Sequence, residues 1–280
     1  MAGILYLCAT PIGNLEDITL RVLRILKEAD LIAAEDTRNS KRLLNAYDIK
    51  TPLTSYHEYN KYEKGPVLID KLRDGLNIAL ITDAGTPGIS DPGELLVQMA
   101  HEAGITVSSL PGACACVTAL TMSGLGTRRF CFEAFLPADK KERASVLEAL
   151  KSETRTVIVY EAPHHLKATL KELYEALGDR RLSICRELTK LHEEVYAASI
   201  GEALKFYEEH EPKGEFVLVI EGRKAEELRR EDAAKWLEMP LDEHMQLYLK
   251  QGLDKKAAMK AVAKDRNVPK SEIYRQLIAD

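Results

Sequence analysis

The chain has 280 residues, of which 45% are apolar and 30% charged, and its net charge is −5. That length fits two modest domains with a small third unit, the composition is that of an ordinary globular protein, and the acidic balance argues against a uniformly basic nucleic-acid binder. No run approaches the roughly eighteen consecutive apolar residues of a membrane span, the start Met1-Ala-Gly-Ile-Leu-Tyr6 lacks a basic leader region, and the cysteines at 8, 114, 116, 131 and 185 form no Cys-x-x-Cys pair, so the chain is expected in the reducing cytoplasm, without a disulfide framework.

Ile4-Leu-Tyr-Leu-Cys8 reads as a buried strand and runs into Ala9-Thr-Pro-Ile-Gly-Asn14. A helix follows over 18–28, with an apolar stripe of Ile18, Val22, Leu23, Ile25 and Leu26. The next strand, 30–34, ends at Glu35-Asp-Thr-Arg38, where Asp36 or Thr37 suits the N-cap of a helix over 37–46. A short strand at 52–55 leads into Ser55-Tyr-His-Glu-Tyr59 and a helix over 62–73. The strand at 77–82 enters Asp83-Ala-Gly-Thr-Pro-Gly-Ile-Ser-Asp-Pro-Gly93, the most informative stretch of the chain, before a helix over 92–103. A strand at 105–109 then meets Leu110-Pro-Gly-Ala-Cys-Ala115 and a helix over 113–123. This alternation predicts a mainly parallel sheet with helices on both faces. Three strand ends that open into Gly/Pro loops, all on the carboxyl edge of one sheet, predict a shared ligand pocket.

Gly124-Leu-Gly-Thr-Arg-Arg129 reads as a hinge. Beyond it, strands are expected at 130–135, 155–160, 182–186, 192–198 and 215–221, with helices at 139–151, 164–177 and 201–209, and the later strands can pair antiparallel. Tyr160-Glu-Ala-Pro163, Arg186-Glu-Leu-Thr-Lys190 and Pro212-Lys-Gly-Glu-Phe216 again mark loops at strand ends, suited to closing a cleft from the other side. A charged helical segment from 223 is broken at Met239-Pro240, and three short helices follow at 242–251, 255–264 and 270–278, with Asp254 placed to cap the second. Residues 250–275 carry eight Lys/Arg against three acids, a local charge of +5, so the tail is a basic appendage on an acidic body. The expected units are an N-terminal lobe over 1–124, a mixed lobe over 125–222 and a helix-turn-helix-like tail over 223–280.

The phosphate loop of P-loop hydrolases, a dinucleotide-binding G-x-G-x-x-G, H-E-x-x-H and G-x-S-x-G are all missing from the sequence. His164 and His165 are adjacent, and neighbours on a helix point about 100° apart, so they suit no shared metal and no metal site is expected.

Ala9-Thr-Pro-Ile-Gly-Asn-Leu15, Glu35-Asp-Thr-Arg38, the loop Asp83–Gly93 and Leu110-Pro-Gly-Ala113 together resemble the tetrapyrrole-methylase superfamily, over residues 3–222. More narrowly they resemble its ribosomal RNA small subunit methyltransferase I branch. Gly85-Thr-Pro87 stands where members that methylate corrin precursors usually carry Gly-Asp-Pro, which points away from tetrapyrrole substrates. The resemblance implies a two-lobed α/β homodimer that transfers a methyl group from S-adenosylmethionine to a cytidine ribose 2′-hydroxyl of small-subunit (16S) ribosomal RNA. It implies cofactor contacts from Pro11, Asp83, Ala84, Gly85, Thr86, Pro87, Gly88, Ile89, Ala113 and Cys114 in one lobe, and from Tyr160, Glu161, Ala162, Gly214 and Glu215 in the other.

A ribose hydroxyl is a weak acid, so a base is expected to help. Glu35 and Lys190 are the favoured catalytic residues, with Asp36, His57, Glu133 and Glu187 as further candidates; Lys190 serves as a base only if its pKa is lowered. Asp36, Arg38 and His57 are placed at the substrate edge. Tyr56, Tyr59 and Tyr62 are either stacking rings for an unpaired base or half-buried loop residues. Lys255, Lys256 and Lys260 are expected to meet RNA phosphates. Two other functions fit parts of the chain: a small-molecule methyltransferase of tetrapyrrole type, and a ligand-sensing DNA-binding regulator, which the tail alone would suit.

Overall fold

The computed structural model describes residues 1–279. In its first lobe, β1 (Ile4–Cys8), β2 (Leu31–Ala34), β3 (Leu53–Ser55), β4 (Ile78–Ile81) and β5 (Thr106–Leu110) form an all-parallel sheet in the order β3-β2-β4-β1-β5. Parallel neighbours need crossovers, which α1 (Leu20–Glu28), α2 (Thr37–Ala46), α3 (Lys61–Arg73) and α4 (Gly93–Glu102) supply. Side chains alternate across a strand, so each strand feeds two cores. Ala79 and Ile81 pack with Val22, Ile25, Leu26 and Leu44 on the α1/α2 face. Ile78 and Leu80 pack with Leu68, Leu72, Leu96 and Ala100 on the α3/α4 face. The chain therefore leaves β1 over one face and leaves β4 over the other. These strands are neighbours, so the topological switch, where open α/β sheets bind ligands, falls between them.

The helix starts are shifted by local chemistry. Thr19 caps α1 by accepting the Val22 N–H at 3.1 Å, which leaves Ile18 outside the helix, after a 3-10 turn over Leu15–Asp17. Cys114 is extended (φ −149°), so α5 (Ala115–Met122) begins two residues later than its apolar pattern suggests.

In the second lobe, β6 (Phe130–Phe135), β7 (Thr156–Glu161), β8 (Arg181–Arg186), β9 (Glu194–Ser199) and β10 (Phe216–Ile220) lie in the order β6-β7-β10-β8-β9, with β6 and β7 parallel and the other pairs antiparallel. One face carries α6 (Lys140–Leu150), α7 (Pro163–Leu177) and α8 (Ile200–Glu209). The other face is covered by α5, whose Cys116, Ala119 and Leu120 pack on Ile158, Cys185, Val217 and Val219. α5 follows the last strand of the first lobe, yet it is built into the core of the second.

The tail comprises α9 (Ala225–Leu237), α10 (Leu241–Lys250), α11 (Lys255–Asp265) and α12 (Lys270–Ala279), with a small core of Met245, Ala258, Val262, Ala263 and Ile273. Asp254 caps α11 by accepting the Ala257 N–H at 2.7 Å. Among the described residues, no helix is long and apolar enough to cross a membrane.

The fully buried His244 holds the tail together. It stacks on Trp236, and its Nε2 lies 3.2 Å from Asp265 Oδ2. Its Nδ1 accepts from Arg266 Nε at 3.2 Å, a contact that requires the neutral ring because arginine only donates. Burial keeps this imidazole below its ordinary range, with Asp265 opposing and Arg266 assisting. The unfolded chain takes up the proton near pH 6.5 while the folded chain resists it, so stability is full above that pH and is lost as pH falls below it. Melting followed by circular dichroism should show the melting temperature dropping between about pH 7 and about pH 5.5, with His244→Gln flattening this dependence.

Candidate functional site

The loops after β1 and β4 are tied together at the switch point. Thr10 and Gly85 exchange backbone hydrogen bonds, Thr10 N to Gly85 O at 2.9 Å and Gly85 N to Thr10 O at 3.0 Å. The buried Thr10 hydroxyl donates to Thr82 O at 3.2 Å, and Thr86 Oγ1 donates to Ala113 O at 2.9 Å, which brings in the loop after β5. The rest of the β4 loop is folded around Asp91. Its Oδ2 accepts from Gly88 N (2.8 Å) and Ile89 N (3.1 Å), and its Oδ1 accepts from Gly93 N (2.7 Å). The three Gly/Pro junctions expected to share a pocket thus form one connected framework. Sequence reasoning gave no role to Thr10, Thr82 or Asp91; a small hydroxyl or carboxylate inside each Gly/Pro loop was the available signal.

Carboxylates gather at the ends of β2 and β4. Asp83 Oδ1 accepts the Asp36 N–H at 3.2 Å, and its Oδ2 lies 3.4 Å from Asn39 Nδ2. Half-buried Glu35 is held above its ordinary pKa by burial first, then by the charges of Asp83 and Asp91; the Asp83 N–H and His57 pull the other way. Asp36 behaves oppositely. It caps α2 and pairs with Arg38, whose hydrogen bonds bring its carboxyl down to about 2. Asp36 is therefore a fixed anion and a poor proton acceptor, and the exposed Arg38 is tied to it. His57 stands at the end of β3, its N–H donated to Asn60 Oδ1 at 2.8 Å, while its buried Nδ1 has no partner among the described residues. The tyrosines separate by role. Tyr56 is 1% exposed and donates to Pro92 O at 3.0 Å, so it is a core residue and not a stacking platform, whereas Tyr59 and Tyr62 are exposed at the same rim.

The second lobe meets this edge along a seam. Tyr160 OH accepts the Cys116 N–H at 3.0 Å. A Cβ on Gly13 would lie 2.5 Å from Lys190 Cγ and 2.9 Å from Leu188 O, so only glycine lets the β1 loop and the β8–β9 turn approach so closely. That turn is itself strained: Glu187 (φ 50°) and Thr189 (φ 66°) are both left-handed without being glycine, a conformation that costs energy and concentrates at functional positions. Lys190 Nζ donates to Glu187 Oε1 (2.8 Å) and Glu215 Oε2 (3.1 Å). Burial works against the ammonium, but the two carboxylates outweigh it and hold Lys190 above its usual range. The lowered pKa that Lys190 would need to serve as a base is not what these ion pairs produce: they move it up. Glu187 is lowered by the same ammonium. Gly214, at φ +92°, sits where a Cβ would strike the Glu187 carboxylate at 2.7 Å, and the Glu215 N–H is donated to Glu187 Oε1 at 2.9 Å.

Glu161 turns its carboxylate to the other face of the sheet, accepting from Ala162 N (2.8 Å) and Thr169 Oγ1 (2.5 Å), so what the Glu161-Ala162 step offers the seam is backbone. Glu133 lies near Cys131 and Arg155. Lys255, Lys256 and Lys260 are exposed on α11, with Lys256, Lys260 and Lys264 at helical i, i+4 spacing opposite the buried Ala258 and Val262. No three His, Cys, Asp or Glu side chains among the described residues are grouped to hold a metal ion. The seam thus holds a fixed ammonium and a buried Thr189 Oγ1 without a partner among the described residues, while Glu35, a proton acceptor above its ordinary range, stands with His57 on the carboxyl edge of the first sheet.

The model of the tetrapyrrole (corrin/porphyrin) methylases matches residues 4–204. A ribosomal RNA small subunit methyltransferase I of Halalkalibacterium halodurans is 52% identical over 97% of this chain and 93% of its own. The protein of the same name from Bacillus subtilis is 49% identical over the same shares. Among solved structures, a diphthine synthase aligns with a TM-score of 0.63 at 14% identity, over 78% of this chain and 90% of its own. A uroporphyrin-III-C-methyltransferase from Thermus thermophilus aligns with a TM-score of 0.55 at 22% identity, over 78% of this chain and 94% of its own, and both alignments bear on the fold alone.

Asp91→Ala would free three loop amides at once. Hydrogen exchange at Gly88, Ile89 and Gly93 should accelerate, and stability should fall by about 1–3 kcal/mol; unchanged exchange at all three would remove Asp91 as the organiser of the loop.

Proposed function

The chain belongs to the tetrapyrrole methylase family and, within it, to the ribosomal RNA small subunit methyltransferase I family, and we propose that it transfers a methyl group from S-adenosylmethionine to a cytidine ribose 2′-hydroxyl of small-subunit (16S) ribosomal RNA. The observation that carries this reading is Glu35, a half-buried carboxylate at the carboxyl edge of the parallel sheet, beside Asp83 and Asp91 and held above its ordinary range.

The residues at the seam fit the cofactor. Pro11, the run Asp83 to Ile89, Ala113 and Cys114 would hold it from the first lobe; Tyr160, Glu161, Ala162, Gly214 and Glu215 would hold it from the second. Thr189 Oγ1, buried and without a partner among the described residues, lies at the same seam and is ready for a polar group. When bound, S-adenosylmethionine supplies a methyl already activated by its positive sulfur, so the protein's work is to place an oxygen in line with it.

Glu35 would accept the proton that the ribose hydroxyl gives up. A base works best when its pKa lies near the working pH, and the upward shift of Glu35 moves it that way. Lys190, fixed as an ammonium, positions the seam or a substrate oxygen and takes no proton. Tyr59, Tyr62 and His57 form a rim on which a base displaced from its stack can rest, since the ribose has to leave its helix to reach the seam. Asp36 and Arg38 border the same rim, and Lys255, Lys256 and Lys260 bind phosphates without reading sequence. The protein acts as a homodimer in the cytoplasm, and the exposed Val117, Met122, Phe130 and Phe135 are the kind of apolar surface a second copy covers.

Glu35→Gln should lower kcat by about 10²–10⁴-fold while leaving S-adenosylmethionine affinity near that of the parent. In the parent enzyme, activity should fall as pH drops through the raised Glu35 value, an acid limb above the ordinary 4.5 that the variant lacks. A variant that keeps its kcat would remove Glu35 as the base. Neutralising Lys255, Lys256 and Lys260 together should reduce the salt slope of RNA binding by about 2–3; an unchanged slope would place the phosphate contacts elsewhere.

A further inference from the structure

Cys114, one of the residues proposed to hold the cofactor, has a second thiol beside it, and methyl transfer makes no use of the sulfur chemistry of this pair. Cys114 and Cys116 flank the start of α5, and their Sγ atoms lie 3.4 Å apart. The two thiols are unequal. Cys114 is half-buried, stands at the N-cap of α5 and contacts the Thr86 side chain; Cys116 is buried, with its N–H given to Tyr160 OH. The contact with the Cys116 thiol is the largest influence on Cys114 and burial opposes it, so the Cys114 thiol is held below its usual range at the start of α5. The other cysteines are shifted the opposite way: burial pushes Cys8 up to about 12 and Cys131 and Cys185 up to about 11.

We propose that Cys114 and Cys116 are an oxidative modification site, a nucleophilic thiol with its resolving partner, which a hydroperoxide converts to an intramolecular disulfide. Cys114 S⁻ attacks the peroxide oxygen, the O–O bond breaks, and hydroxide or alkoxide leaves, giving a sulfenic acid at Cys114. Cys116 then loses its thiol proton, its sulfur attacks Cys114 Sγ, and the sulfenic oxygen departs as water. The two sulfurs are oxidised by two electrons in all, and the peroxide is reduced. The contact closes from 3.4 Å to a covalent bond of about 2.05 Å. This draws Cys114 out of its extended cap toward the first turn of α5. Ala113 must follow, and Ala113 O is the acceptor that fastens Thr86 of the β4 loop. Oxidation therefore loosens the framework that would hold the cofactor, a consequence that rests on the function proposed above.

The full-length protein is treated with hydrogen peroxide and followed by intact mass and peptide mapping, with S-adenosylmethionine binding measured in parallel by calorimetry. The expected result is a mass lower by two hydrogens, assigned to a Cys114–Cys116 link, formed before the other cysteines react and reversed by dithiothreitol. Binding is lost with the link and regained on reduction. In Cys116→Ala the link cannot form, and dimedone should instead trap a sulfenic acid at Cys114. Oxidation of wild type that stops at a dimedone-trappable or sulfinic Cys114, or that begins at another cysteine, overturns the site. A link that leaves binding intact overturns its effect on the loop. Reduced protein that never binds S-adenosylmethionine counts against the proposed function instead, while the mass readout still decides the modification.

Discussion

The packing of α5 against β7 and β10 is the contact on which the geometry of the seam depends. The helix leaves the carboxyl edge of the parallel sheet after β5 and buries Cys116, Ala119 and Leu120 in the apolar face of the second sheet. A connector committed to both cores fixes how the loops of one lobe face the loops of the other. Ile12, from the loop after β1, packs into the same cluster, and Tyr160 receives the Cys116 N–H across it. The close approach at Gly13 is possible because these apolar and polar contacts already hold the lobes together. Burying this face contributes stability in proportion to its area, and it also gives the ligand loops a rigid frame.

Electrostatics within that frame sort similar residues into different roles. Asp36 and Glu35 are neighbours in sequence, yet one carboxyl is lowered by a paired guanidinium and the other raised by burial and by Asp83 and Asp91. Lys190 and Glu187 form a fixed pair instead of a proton-transfer pair. Where carboxylates differ only in surroundings, the one pushed toward neutral pH is the better base. That argument favours Glu35 over Asp36 and Glu187 as the proposed base.

Much of this was legible from the residues. Continuous apolar runs such as Ile4–Cys8 and Phe216–Ile220 mark their strands, and the Gly/Pro loops after β1, β4 and β5 lie on one edge of one sheet. Helix boundaries slipped where the side-chain cap at Thr19 and the extended backbone at Cys114 overrode the apolar pattern. The protonation of Lys190 was not readable, because its partners include Glu215, which is remote in sequence. The carboxylate of Glu161 faces away from the seam because strand parity, set by Tyr160 against α5, sends it to the α7 side. Tyr56 is indistinguishable from Tyr59 by composition; only the fold places its hydroxyl against Pro92 O. The order of the second sheet and the dual role of α5 are tertiary facts with no local signature.

The most direct test of the account is methyl transfer itself. The purified protein is incubated with labelled S-adenosylmethionine and unmethylated small ribosomal subunits, and the RNA is then digested and mapped by mass spectrometry. The account predicts label on a single cytidine, carried on the ribose. Label on a base, or no transfer by protein that binds the cofactor tightly, would contradict it.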